Sequence, residues 1–187
     1  MSTKRRIGIA DTCFLIDWAR YRNKDILFKI FDLVFISETV LREIKSDLTI
    51  SWIASKLAEN KLALYTETDD EIEEARRLVL LSREIPHMIS IDLPEALCLV
   101  VGRRKGFTVL TENKGAIMAT EVFEEYKDVI VWRALEVLLV AHLERMIDID
   151  CKDPLKHFRG YQEDTLHIFS NKDLDEVRKR IEKEICR

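Results

Sequence analysis

The sequence predicts an α/β domain: a three-layer α/β/α arrangement with a central, mostly parallel sheet, continued by a helical C-terminal extension. Three observations carry this expectation. Short apolar runs alternate with longer segments of helical periodicity as far as about residue 149. The runs are almost continuously apolar, as befits strands covered on both faces. The 187 residues also include only 5 Gly and 3 Pro, far below the roughly 12% usual in globular chains, which disfavours a turn-rich sandwich or barrel.

Taken in order, Ile7-Gly-Ile-Ala10 is the first strand, ending at Asp11, and Cys13 to Ala19 reads as helix. Leu33-Val-Phe-Ile36 is the second strand. Ser37 can cap a helix through Lys45, which has Val40, Leu41 and Ile44 on one face. An amphipathic segment around residues 51–59 leads to a third run, Leu62-Ala-Leu-Tyr65. Residues 69–84 open with Asp69, Asp70, Glu71, Glu73 and Glu74 and carry Arg76, Arg77 and Arg83 later, an order that suits the helix dipole. A helix from Leu93 to Lys105 closes at Gly106. Phe107-Thr-Val-Leu110 is the next strand and a short helical stretch follows it. Val129-Ile-Val131 is the last strand, before a long helix over 133–147. The domain therefore spans 1–149, and 150–187 forms the extension, with Pro154, Gly160 and a mixed-charge helix from Asn171 to Ile185.

Composition narrows the function classes. Hydrophobic residues at 47% and charged residues at 34% allow a core and exclude a disordered chain. A formal charge of −4 argues against a globally basic nucleic-acid binder, though not against an enzyme with an acidic, metal-binding pocket. Residues 131–149 are apolar, but Arg133, Glu136, Glu144, Arg145 and Asp148 among them exclude a membrane span. Cys13, Cys98, Cys151 and Cys186 form no CxxC pair and the N-terminus lacks a secretory apolar stretch, so reduced thiols in a cytoplasmic protein are expected. Neither GxGxxG nor GxxxxGK[ST] occurs, and His87, His142, His157 and His167 have no zinc-site spacing. Cys13 reads as a small buried thiol. The helix at 133–147, apolar around most of its circumference, calls for a cover: either a second copy in a homodimer or the chain's own extension. The clusters Lys4-Arg5-Arg6, Arg20-Tyr-Arg22 with Lys24, and Arg103-Arg104-Lys105 are candidates for an RNA path, with Tyr21 available for stacking.

In open parallel sheets, ligands bind beyond the carboxyl ends of the strands. Asp11 follows the first strand, Glu38 and Glu43 the second, and Thr111, Glu112 and Asn113 the one at 107–110. Asp92 and Glu95 open the helix before that strand and share a face. Singly, most of these read as caps: Asp11 and Asn113 as N-caps, Asp92-Leu-Pro-Glu95 as a capping box, Glu38 as a first-turn acid. Glu43, placed well inside its helix, does not. Carboxyl and amide groups converging on one edge repel unless a cation neutralises them. All-oxygen ligation selects Mg²⁺ or Mn²⁺, ions suited to phosphoryl chemistry.

These residues sit in segments that resemble a family. Ile9-Ala-Asp-Thr-Cys-Phe-Leu-Ile16, Ser37-Glu-Thr-Val-Leu-Arg-Glu-Ile44, Leu93-Pro-Glu-Ala-Leu97 and Val109-Leu-Thr-Glu-Asn113 look, in order and spacing, like the four motifs of PIN-domain nucleases, VapC-like endoribonucleases among them. The resemblance covers about residues 7–135 and not the extension. It implies a metal-dependent endoribonuclease with Asp11, Glu43, Glu95 and Asn113 as catalytic and metal-binding positions, Mg²⁺ or Mn²⁺ as cofactor and RNA as substrate. Asp11 would be the central ligand, Glu43 or a neighbour would help deprotonate the attacking water, and Thr111 would orient the site. Many relatives are toxins, which implies a protein antitoxin as partner; others process RNA. Asn113 stands where many relatives carry Asp, which removes one negative charge and weakens a second metal. A catalytically silent module of the same fold, binding RNA or a protein, is the alternative. A phosphoacceptor receiver domain needs an acid pair after the first strand, which is not evident.

Overall fold

Two central strands, buried on both faces, set the architecture seen in a computed structural model that describes residues 5–186. In chain order the elements are β1 (Ile7–Ala10), α1 (Thr12–Arg20), α2 (Leu27–Ile30), β2 (Leu33–Ser37), α3 (Glu38–Glu43), α4 (Asp47–Ala58), β3 (Leu62–Tyr65), α5 (Asp69–Glu84), α6 (Leu93–Lys105), β4 (Thr108–Leu110), α7 (Lys114–Val122), β5 (Val131–Trp132), α8 (Ala134–Leu143), α9 (Lys156–Thr165) and α10 (Asn171–Glu184). The sheet is five-stranded and wholly parallel, in the order β3-β2-β1-β4-β5. Helices flank it, giving the α/β/α arrangement the apolar runs predict. Contacts among helices sort them into one layer built around α1, α2, α4 and α8 and another around α5, α6 and α7.

Helix α6 shows why the sheet and its cover meet so closely. Every residue from Ala96 to Gly102 is buried. A Cβ at Gly102 would come within 2.4 Å of Val109 Cγ2, so only glycine lets α6 lie this near β4. The helix ends where Gly106 adopts the left-handed conformation, at φ 69°.

Several boundaries differ from expectation. The last strand is Val131–Trp132 rather than 129–131, because the Val129 N–H is taken by Tyr126 O in the preceding turn. Helix α8 stops at Leu143, four residues early: Arg145 turns left-handed at φ 54° and the Met146 N–H returns to Ala141 O. Helix α3 ends at Glu43, which is therefore its last residue and not an interior one.

The extension forms two helices laid on the body. Helix α9, unmarked in the sequence, buries Tyr161 against α1, 5.5 Å from the Trp18 ring and 5.2 Å from that of Tyr21, and Phe158 against His142 of α8 at 5.2 Å. Each such aromatic contributes about 2 kcal/mol relative to exposure. Helix α10 buries Val177 and Ile181 and packs on α8. The apolar α8 is thus covered in part by the extension, through α9 and α10, together with α2. Two cysteine expectations are corrected: Cys151 and Cys186 form a disulfide, because α10 runs back to the turn where the extension begins, while Cys13 and Cys98 are free. Cys13 is exposed rather than buried. No helix among the described residues is long and apolar enough to cross a membrane.

Candidate metal centre

From β1 the sheet grows through β2 to β3 on one side, and through β4 to β5 on the other. The place where the order reverses, beyond the carboxyl ends of β1 and β4, is where open α/β sheets bind ligands. Asp11 and Thr111 stand there, each one residue past its strand.

Asp11 is fully buried. Its own N–H donates to Leu110 O at 3.0 Å, which ties the end of β1 to β4. Oδ1 accepts the Phe14 N–H at 2.8 Å and so caps α1, while Oδ2 accepts the Thr111 hydroxyl. Burial pushes its pKa up to about 7; the Thr111 and Phe14 hydrogen bonds oppose this, and the charges of Glu95 and Asp17 add to it. No Lys or Arg pairs with it among the described residues.

The same division of labour recurs in its neighbours. Asn113 caps α7 with Oδ1, which accepts the Ala116 N–H at 3.1 Å, and its Nδ2 donates to Glu95 Oε1 at 3.2 Å. Glu95 closes a capping box, its Oε2 accepting the Asp92 N–H at 3.2 Å. Burial raises the Glu95 pKa, and the charges of Asp92 and Glu43 raise it further. The Asn113 N–H donates to Thr111 Oγ1 at 3.0 Å, which links this pair to Asp11. Glu43 is exposed at the end of α3 and accepts the Thr12 hydroxyl at 3.0 Å, beside Asp11. All four predicted positions therefore reach one edge. The caps are real as well, and in Asp11, Asn113 and Glu95 one atom does each job.

The convergence takes the form of a hydrogen-bonded chain. Among the described residues no three His, Cys, Asp or Glu side chains form a ready-made metal cage. What the residues do offer is an all-oxygen set around a buried carboxylate lacking a cation, and that set fits Mg²⁺ or Mn²⁺. Five residues of the basic clusters that the sequence offers as an RNA path are engaged elsewhere in the fold. Arg103 and Arg104 bind Glu74, Arg22 binds Asp164, Arg6 binds Glu144, and Lys24 donates to Ala19 O. Tyr21 is fully buried against Trp18 and Tyr161 and so is not available to stack on a base, and Lys4 lies outside the described residues.

Three residues, Glu67, Asp17 and His167, escape the sequence reading of the site, and a fourth, Glu112, faces away from where that reading puts it. Glu67 accepts the Thr39 N–H at 2.8 Å, holding the first turn of the helix that bears Glu43; its place just past β3 was the available signal. Asp17 lies on α1 near enough to raise the pKa of Asp11. Glu112 turns away from its neighbours, its Oε1 accepting the Ala134 N–H at 2.7 Å, and burial raises its pKa to about 8. His167 arrives from the extension, and no local pattern marks it.

No protein-family model matches the chain, and no curated protein matches it in sequence.

Proposed function

We propose that this chain is a metal-dependent endoribonuclease of the PIN-domain kind, hydrolysing RNA phosphodiester bonds with a Mg²⁺- or Mn²⁺-activated water. The observation that carries the reading is Asp11: a fully buried carboxylate at the reversal of strand order, with the charges of Glu95 and Asp17 acting on it, Glu43 bound to the adjacent Thr12, and no Lys or Arg paired with it among the described residues. Asp11, Glu95 and Glu43 would hold the ion, with Asn113 at their side. When bound, the cation compensates the clustered carboxylates and lowers the pKa of a ligated water. The chain's own residues do the rest. Thr111 and the Phe14 N–H fix both Asp11 oxygens, Asn113 orients Glu95, and Glu43 is the exposed carboxylate left to accept a proton from the attacking water. Within the same proposal RNA is the substrate and a protein antitoxin is the partner.

The test incubates purified protein with mixed-sequence single-stranded RNA in Mn²⁺, Mg²⁺ or EDTA, beside Asp11→Asn. Cleavage that needs metal and falls about a thousandfold in the variant is the expected result. Cleavage indifferent to EDTA and to Asp11→Asn would refute it. Absence of cleavage, with RNA still bound, would favour the silent module, the reading to which Asn113 in place of a fourth carboxylate lends support.

A further inference from the structure

We infer that the extension contributes a positioning residue to this site: His167, which braces Glu112 and through it the Thr111–Asn113 segment facing Asp11 and Glu95. The inference rests on the metal-site reading above. Its starting point is the alternation of side chains in an extended segment. Thr111 and Asn113 reach Asp11 and Glu95, so Glu112, between them, points the other way. Its side chain is only 6% exposed. Oε1 anchors it to the start of α8 through Ala134, while Oε2 is buried with no hydrogen bond among the described residues.

The group facing that oxygen is His167, with Nε2 3.2 Å away. On the other edge of the ring, Nδ1 lies 3.8 Å from Oδ2 of Asp17, on the helix that Asp11 caps. One imidazole therefore sits between a carboxylate behind Asn113 and a carboxylate on α1. It is held there firmly. The His167 N–H donates to Thr165 Oγ1 at 3.1 Å, the Phe169 N–H donates to Gln162 Oε1 at 2.8 Å, and the ring meets Tyr161 and Phe169 edge-on. Its chain neighbours Leu166 and Ile168 are 82% and 83% exposed. A loop arranged for apolar packing alone would turn these two inward; here the inward position belongs to the imidazole.

A brace on one segment predicts a local effect, and general packing predicts a diffuse one. Wild type, His167→Ala and His167→Gln are compared by calorimetric Mn²⁺ titration and by hydrogen exchange of the backbone amides. In His167→Ala, Mn²⁺ affinity should fall about tenfold, as when a partner of a ligand-bearing segment is removed. Exchange should quicken over residues 111–117 and 134–137 and stay unchanged in α5. Gln keeps an N–H donor near the place of Nε2 and should restore both readings. Unchanged exchange at 111–117, exchange rising throughout the chain, or no recovery in His167→Gln would each overturn the inference. If wild type binds no Mn²⁺, the nuclease reading falls, while the exchange pattern still decides the role of His167. Should His167→Ala not fold, His167→Gln is set against His167→Phe, which fills the space without a donor.

Discussion

Glu74 and Asp11 are both buried carboxylates, and the protein treats them in opposite ways. Glu74, on α5 and 7% exposed, accepts Arg103 at 2.5 Å, Arg104 at 2.5 and 2.9 Å, and the Tyr126 hydroxyl at 2.8 Å. Burial alone would raise its pKa, but Tyr126 and the two guanidiniums outweigh that and hold it below the usual range. Asp11 has a hydroxyl, one backbone N–H and further acids around it, and its pKa rises to about 7. A buried charge is stable only when compensated. Glu74 finds its compensation in the fold, so it is a structural clamp joining α5, α6 and the Tyr126 turn. The fold offers Asp11 no such partner, so it is left to bind a proton below about pH 7 or, in the reading proposed above, a metal ion.

Three substitutions probe this contrast, in decreasing order of effect. Glu74→Ala leaves two guanidiniums without their anion and should cost about 3 kcal/mol in urea unfolding, with Mn²⁺ binding unaltered. Asp11→Asn should do the reverse: without metal it should stabilise the protein by about 2 kcal/mol at pH 8. The sign follows from the raised pKa. The proton that favours the folded state is fully bound below the ordinary carboxylate value and is lost as pH rises through about 7. The wild type therefore weakens between pH 4 and 7 relative to the variant, and the gap closes again at acid pH. Urea midpoints at both ends of that range measure it, and added Mn²⁺ should stabilise the wild type alone. Asn113→Asp is the mildest. It replaces the 3.2 Å Asn113–Glu95 hydrogen bond with two facing carboxylates, which should cost about 1 kcal/mol without metal. Thermal unfolding should then show a larger Mn²⁺-induced rise than in wild type.

Much of the fold was legible because buried parallel strands write themselves as apolar runs: β1 and β3 match their predicted ranges residue for residue. Helix α9 was not, since Phe158 and Tyr161 stand among charged residues and become core only against partners distant in the chain, Tyr161 against Trp18 and Tyr21 and Phe158 against His142. At the site, Asp11, Glu95 and Asn113 were legible from their place after strands and at helix starts. The sequence left cap and ligand as rival readings, whereas carboxyl and amide groups have two polar atoms and can serve as both. His167 was beyond reach, because its meaning depends on Glu112 and Asp17, whose distance in sequence local spacing does not span. The Cys151–Cys186 pair was hidden for the same reason, as 35 residues separate the two thiols.

That bond closes the extension into a covalent ring. Chain-entropy arguments value a closure of this span at about 4 kcal/mol, because it removes open conformations from the unfolded ensemble. Its topology matters more than its energy. His167 lies inside the ring, between two points that cannot separate, so the loop that carries it is tethered from both ends. A single backbone break between Cys151 and Cys186 would leave the severed piece attached.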